Sequence, residues 1–280
     1  MSLIPYTLNL RGRLLTLDCP QVMGILNLTP DSFYAASRME TEAEILARVR
    51  QICDEGAQWA DVGAYSSRPG AADVPAEEEM RRLRLGLRLL RAELGDDFPV
   101  SVDTFRADVA RMCVEEFGVQ MVNDISGGQL DRDMFRTVAA LRVPYVLTHL
   151  QGTPSTMQDA PAYEDLLRDV FLYFSRRLET LRSLGVGDVV VDPGFGFGKT
   201  LSQNYEIMRH LADFHELGCP LFVGVSRKSM VYRLLDVEPS GALTGTTVLH
   251  TAALLSGAHF LRVHDVRDAV QVVRVAGQLV

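Results

Sequence analysis

A chain of 280 residues, 47% of them hydrophobic, holds enough apolar material for one large core, and a closed α/β barrel commonly uses about 250 residues as a single domain. A formal net charge of −8 excludes any general attraction to nucleic acid or an anionic membrane, though it leaves room for a local basic pocket around a small anion. Cys19, Cys53, Cys113 and Cys219 form no CxxC pair, no basic segment followed by an apolar one opens the chain, and the uncharged stretch 239–261 is interrupted by Gly, Thr, Ser and His. Reduced thiols, a cytoplasmic location and no membrane span are therefore expected.

In chain order, the alternation of Tyr6, Leu8 and Leu10, then Leu14 and Leu17, around Arg11-Gly12-Arg13 predicts a β-hairpin that covers one end of the core. From residue 22 onward, short apolar runs alternate with helical periodicity. Strands are predicted at 22–26, 58–63, 99–102, 119–123, 144–148, 188–192, 220–225 and 258–262. Helices are predicted within 41–55, 77–94, 105–116, 132–141, 161–184, 202–216, 241–256 and 265–275. Ile45, Val49 and Ile52 form one apolar stripe, and Leu83, Leu87 and Leu90 another. Thr41 before Glu44 is a capping-box candidate. Eight such units and no linker predict one domain over 1–280, a (β/α)₈ TIM barrel with an N-terminal hairpin. An open doubly wound sheet is the alternative, but no GxGxxG follows the first strand.

The strands run into polar residues: Asn27, Asp103, Asn123, Asp192, Ser226-Arg227-Lys228, and Arg262-Val263-His264-Asp265. A barrel gathers such strand ends at one face, so acid, amide, base and imidazole would share one site, which favours an enzyme over a binding scaffold. Asp192-Pro193-Gly194-Phe195-Gly196-Phe197-Gly198-Lys199-Thr200 resembles a phosphate loop only superficially, because Pro193 stands where that pattern needs Gly. Its glycines instead allow a tight loop against a ligand, with Phe195 and Phe197 able to cover a planar group. Two carboxylates in one pocket, Asp103 and Asp192, can accept hydrogen bonds from an amino-substituted heterocycle or stabilise a delocalised cation. Helix capping is the plainer role for Asp103. Arg262 and His264, two residues apart, form an oxyanion or pyrophosphate grip, and Asn27 could supply an oxygen to Mg²⁺ beside the phosphate. Arg68, Lys199, Arg227, Lys228 and Arg262 make a basic pocket plausible, whereas Asp31, Asp124 and Asp265 read as cap or turn residues. His149 shapes the pocket or makes a structural hydrogen bond, and His250 reads as structural. Ser66-Ser67-Arg68-Pro69-Gly70 and Thr29-Pro30-Asp31-Ser32-Phe33 read as mobile loops able to close over a second substrate.

Six ordered segments resemble the dihydropteroate synthase family of pterin-binding enzymes: Met23–Phe33, Ser101–Thr104, Asn123–Gly128, Asp192–Thr200, Gly224–Lys228 and Arg262–Val266. The resemblance covers about residues 20–268. It implies condensation of 6-hydroxymethyl-7,8-dihydropterin diphosphate with 4-aminobenzoate to 7,8-dihydropteroate and diphosphate, in folate biosynthesis, by an SN1-like route. It further implies that Asp103, Asn123, Asp192 and Lys228 hold the pterin. Asn27, Arg262 and His264 would engage diphosphate, with Asn27 on Mg²⁺. Phe33, Ser67, Arg68, Pro69, Phe195, Phe197 and Ser226 would form the aminobenzoate site, with Arg68 also organising the closed state. The catalytic set implied is Asp103, Arg262, His264, Lys228 and Arg68, in a sulfonamide-sensitive homodimer. Tyr34-Ala35-Ala36-Ser37 stands where the family usually has Ser-Asp-Gly-Gly, Ala64 where it has Gly, and Ser67 where it has Thr. A pterin barrel that passes methyl groups to a corrinoid protein would share Asp103, Asn123 and Asp192 but would have less use for Ser226–Lys228 and Arg262-x-His264. A noncatalytic pterin-binding paralogue is the second alternative.

Overall fold

The computed structural model describes residues 3–28, 38–65, 74–153, 157 and 161–279. Strands β1 (Tyr6–Leu10) and β2 (Arg13–Leu17) pair antiparallel through Arg11 and Gly12, both at positive φ. That two-residue turn follows the natural twist of the paired strands.

Eight parallel strands follow: β3 (Gln21–Asn27), β4 (Trp59–Gly63), β5 (Val100–Asp103), β6 (Met121–Asp124), β7 (Tyr145–Thr148), β8 (Val189–Asp192), β9 (Phe222–Val223) and β10 (Phe260–Val263). They lie in the order β8-β7-β6-β5-β4-β3-β10-β9, and a parallel bridge between Val191 and Leu221 brings the two ends together. Every predicted strand is present, in a nearly closed barrel rather than an open sheet.

The surrounding helices are α1 (Arg38–Asp54), α2 (Ala76–Leu94), α3 (Ala107–Phe117), α4 (Met134–Leu141), α5 (Leu166–Ser183), α6 (Leu201–Arg209), α7 (Ser229–Leu235), α8 (Leu243–Leu255) and α9 (Val266–Ala276). Two expectations are corrected. Helix α1 begins at Arg38, so Thr41 lies inside it rather than at its N-terminus. The helix expected over 202–216 ends at Arg209 and continues as a 3₁₀ stretch, Leu211–Leu217, closed by Gly218 at φ 67°. Helix α7 was not predicted, because seven residues are too few to display an apolar stripe.

Alternation along the strands places the site. Met23, Trp59, Met121, Val146, Val190, Phe222 and Phe260 form one buried cluster with Leu8, Leu10 and Leu17 of the hairpin. This is the barrel's lower interior, plugged from below by β1 and β2. Residues two apart on a strand face the same side. Two residues beyond these plug residues come Ile25, Asp61, Asn123, Thr148, Asp192, Gly224 and Arg262. A polar layer therefore rests directly on an apolar floor. The intervening residues, among them Ala60, Val62, Val102, Val122, Val191 and Leu261, point outward into the core beneath the helices. Each large side chain buried there contributes about 1.5–3 kcal/mol, which lets the barrel carry charges at its centre.

Candidate active site

The polar layer is built around Arg262. Its Nε donates to Asp61 Oδ2 at 2.6 Å and its Nη2 to Asp103 Oδ2 at 2.8 Å, while Asn123 Nδ2 donates to the same Asp61 oxygen at 3.0 Å. Gly63, Asp103 and Asn123 stand in register across β4, β5 and β6. A Cβ at Gly63 would lie 3.3 Å from that of Asp103, so glycine leaves the carboxylate its space. Asp103 caps no helix: Arg106 occupies the cap of α3, whose Ala107 N–H is taken by Asp131. Burial pushes the Asp103 carboxyl up to about 7, and the Arg262 guanidinium acts against that rise.

Asp61 belongs to this constellation, and reading the strand ends for polar groups missed it. It is fully buried in mid-strand, and its Oδ1 has no hydrogen-bond partner among the described residues. The signal was a lone carboxylate inside an apolar run, two residues after Trp59 and two before Gly63.

Across the barrel, Asp192 Oδ1 accepts the Gly194 N–H at 2.8 Å. Lys228 Nζ donates to Phe195 O at 2.6 Å and sits 4.1 Å from the centre of the Phe197 ring. Burial lowers Lys228 to about 8, with Asp192 pulling it back up. Phe195 and Phe197 separate in role: the Phe195 ring is fully buried in the outer core, so its contribution to the site is its carbonyl, while Phe197 lies beneath the Lys228 ammonium. Ser226 Oγ accepts the His264 N–H at 3.1 Å and so joins the loops after β9 and β10.

The expected basic pocket is smaller than its sequence suggested. Arg227, at φ 53°, makes a two-pronged pair with Asp265, both contacts at 2.8 Å, and donates to the carbonyls of Pro239 and Ser240. Lys199 Nζ is buried against His149 Nδ1 and the carbonyls of Gly194 and Phe197. Among the described residues, Arg262 is the cation of that group paired with site carboxylates, while Lys228 and Lys199 both lie close enough to Asp192 to act on it by charge. Asp124 is the turn residue expected, accepting from Ser126, Gly128 and the Tyr145 hydroxyl.

Asn27 and His264 line a cavity of about 380 Å³ with Ile25, Leu26, Glu44, Ile45 and Arg48. Arg48 of α1 donates from Nη2 to His264 O at 2.7 Å and from Nε to Ile25 O at 3.2 Å, tying together the ends of β3 and β10. Glu44 and Arg48 were also missed. Each lies one position before the stripe residues Ile45 and Val49, on the helix edge nearest the strand ends. Phe33, Ser67, Arg68 and Pro69 lie outside the described residues, as do Tyr34–Ser37. Among the described residues, no group of three His, Cys, Asp or Glu side chains is placed to hold a metal.

Fold and site together define an enzyme of the pterin-binding barrel class. The family model described as pterin binding enzyme matches residues 23–264. Dihydropteroate synthase of Escherichia coli K12 is 39% identical over 267 residues, covering 95% of this chain and 93% of its own. The Synechocystis synthase is 39% identical over 261 residues, covering 92% and 89%. Among solved structures, Yersinia pestis dihydropteroate synthase in complex with a sulfonamide drug superposes with a TM-score of 0.89 at 36% identity, over 98% of both chains. The Xanthomonas albilineans synthase with 4-aminobenzoic acid gives 0.89 at 37% identity, over 99% of this chain and 98% of its own. The chain belongs to the dihydropteroate synthase family of pterin binding enzymes.

Proposed function

We propose a residue-level route for this transferase, which condenses 6-hydroxymethyl-7,8-dihydropterin diphosphate with 4-aminobenzoate. The observation that carries it is the facing pair of charge sets, Asp61–Arg262–Asp103 on one side and Asp192–Lys228 on the other, above a dry floor. Asp192 and Asn123 read the pterin's amino-substituted edge, Lys228 donates to an acceptor on it, and Arg262 lies against the ring plane. Asn27, His264 and Arg262 take the diphosphate at the cavity mouth. Ser226 binds the aminobenzoate carboxylate, because its oxygen already accepts from His264 and its proton is left to donate. Phe197 provides an aromatic wall, with Phe33, Ser67, Arg68 and Pro69 completing the second site. Residues 1–280 act as one domain, with all eight barrel strands lying between Gln21 and Val263.

Mg²⁺ fits the donors present: the Asn27 side chain at the exposed end of β3 would hold it, with Glu44 lining the same cavity, since this ion needs few protein ligands beside a substrate phosphate. When bound there it offsets diphosphate charge. The methylene C–O bond then breaks with its electron pair leaving on the diphosphate. The resulting pterin-stabilised cation sits in the field of ionised Asp103, and the aromatic amine attacks it before losing a proton. Positioning and electrostatics provide the acceleration, with no covalent enzyme intermediate. Large exposed apolar side chains on the packed helices α7, α8 and α9 (Leu234, Leu235, Val248 and Val275) support a homodimer. Free thiols and the acidic balance support a cytoplasmic location, and no helix among the described residues is long and apolar enough to cross a membrane.

The pH profile tests the route. Asp103 works as an anion and Lys228 as a cation, so kcat/KM for the pterin substrate rises with pH through an ionisation near 7 and falls through one near 8. Asp103→Asn abolishes the acid limb together with most of the activity. Stability moves the other way on the acid side. Folded Asp103 holds its proton up to about 7 against an ordinary 3.8, so the stability it contributes is full below 3.8 and is lost as pH rises through 7. A rate that is flat from about pH 6 to pH 9 would contradict these roles.

A further inference from the structure

The reaction scheme leaves the buried Lys199 unused. Lys199 and His149 are each 4% exposed, and Lys199 Nζ lies 2.9 Å from His149 Nδ1, 2.9 Å from Gly194 O and 3.2 Å from Phe197 O. An ammonium has three N–H donors, and four acceptors surround this one, His149 O at 3.5 Å being the fourth. A neutral amine would bring only two donors to them. Burial lowers the Lys199 ammonium to about 7, with Asp192 pulling it back up, and while the amine is charged His149 accepts through an unprotonated Nδ1. Burial and the adjacent Lys199 also hold the His149 imidazole neutral.

These contacts bear on substrate recognition through two peptide units. Gly194 gives its carbonyl to Lys199 and its N–H to Asp192 Oδ1. Phe197 gives its carbonyl to Lys199 while its ring lies under Lys228. The arch is seated without slack: a Cβ at Gly194 would come 2.0 Å from His149 O, and one at Gly198 2.6 Å from Gln151 O, both at positive φ. The charges facing Asp192 are Lys228, Lys199 and Arg262; those facing Lys199 are Asp192 and Lys228. His149 meets the rings of Tyr163 and Tyr173, with the Arg177 guanidinium nearby.

We propose that Lys199 is a positioning residue for pterin recognition: seated on His149 Nδ1, its ammonium sets the Asp192–Phe197 arch and places a buried positive charge one peptide unit behind Asp192. The inference rests on the assignment of Asp192 to the pterin. Burial alone drives the Asp192 carboxyl upward, and Lys228, the Gly194 N–H and Lys199 oppose it. Lys228 also contacts ligand-binding loops directly, whereas Lys199 acts wholly from behind the arch.

The test is binding of 6-hydroxymethylpterin to the full-length chain by calorimetry from about pH 5 to pH 9, with thermal midpoints alongside. In Lys199→Met, the dissociation constant is expected to rise at least ~tenfold at neutral pH, and the acid limb of affinity to move up by about one pH unit, because Asp192 then binds its proton more tightly. If that variant does not fold, His149→Leu is expected to move the limb the same way, and His149→Gln, which keeps an acceptor, to restore it. A wild-type limb in a folded Lys199→Met, or in His149→Leu, overturns the inference. Asp192→Asn separates the two assignments. Unchanged pterin binding in that variant overturns the pterin site itself, whereas weakened binding there with no effect at Lys199 overturns only the role of Lys199.

Discussion

Arg262→Ala is expected to lose both turnover and a large share of stability. The guanidinium is the shared partner of Asp61, which is fully buried, and of Asp103, which is about one-fifth exposed (21%). Asp61 has one oxygen already without a partner among the described residues, so removing the arginine leaves a buried carboxylate held there by the Asn123 amide. Breaking a buried pair in this way typically costs about 3–5 kcal/mol. The loss should shrink at low pH, where the Asp103 carboxyl, pushed up to about 7 by burial, takes up its proton. Urea titrations at two pH values check this. Turnover is expected to fall through a separate cause, the loss of the fork proposed to bridge pterin and diphosphate, by ~10²–10³ or more. Arg262→Lys separates the two effects. It restores a charge, and with it part of the stability, but one ammonium cannot hold two carboxylates in the planar geometry the site uses, so activity stays low. A variant with wild-type stability and wild-type kcat/KM would remove Arg262 from the centre of the site.

Asp192→Asn is expected to abolish pterin recognition while leaving the fold intact. Asparagine keeps the Oδ1 acceptor for the Gly194 N–H, so the turn after β8 survives. The other carboxylate oxygen becomes an NH₂, and a donor then meets the donors of the pterin edge. A site built to hydrogen-bond its ligand loses far more from such a mismatch than from lost packing, and a fall of ~10²–10⁴ in kcat/KM is expected. Calorimetry with 6-hydroxymethylpterin checks the binding component. Near-wild-type affinity would move the pterin elsewhere.

The barrel was legible because its strands are short apolar runs of regular spacing, and alternation within them decides which side chains meet at the centre. Asp103, Asn123, Asp192 and Arg262 were found because each stands at or beside the end of such a run. Asp61 was missed because it stands inside one, where only the period of two, counted from Trp59, shows that it faces the same interior. Glu44 and Arg48 come from a helix and meet Asn27 and His264 only once β3 and β10 lie side by side, a contact over more than 200 residues for Arg48 and His264 that no local pattern announces. Lys199 and Arg227 looked equivalent to Lys228 in sequence. What separates them is the backbone: Arg227 adopts a left-handed conformation that turns it to Asp265, and the glycine arch folds Lys199 beneath itself. Phe195 and Phe197 alternate with glycines, so no periodicity could say which ring is buried.

The most direct measurement uses substrate carrying ¹⁸O in the oxygen that bridges methylene and diphosphate, incubated with purified enzyme and Mg²⁺, with and without 4-aminobenzoate. Diphosphate release and dihydropteroate are followed together by mass spectrometry. The account predicts amine-dependent diphosphate release matched one-for-one by dihydropteroate. It also predicts that, without the amine, the label scrambles into non-bridging positions of recovered substrate, as reversible ionisation requires. Diphosphate release with no dihydropteroate, or matched turnover with no scrambling, would contradict the condensation or its dissociative route, respectively.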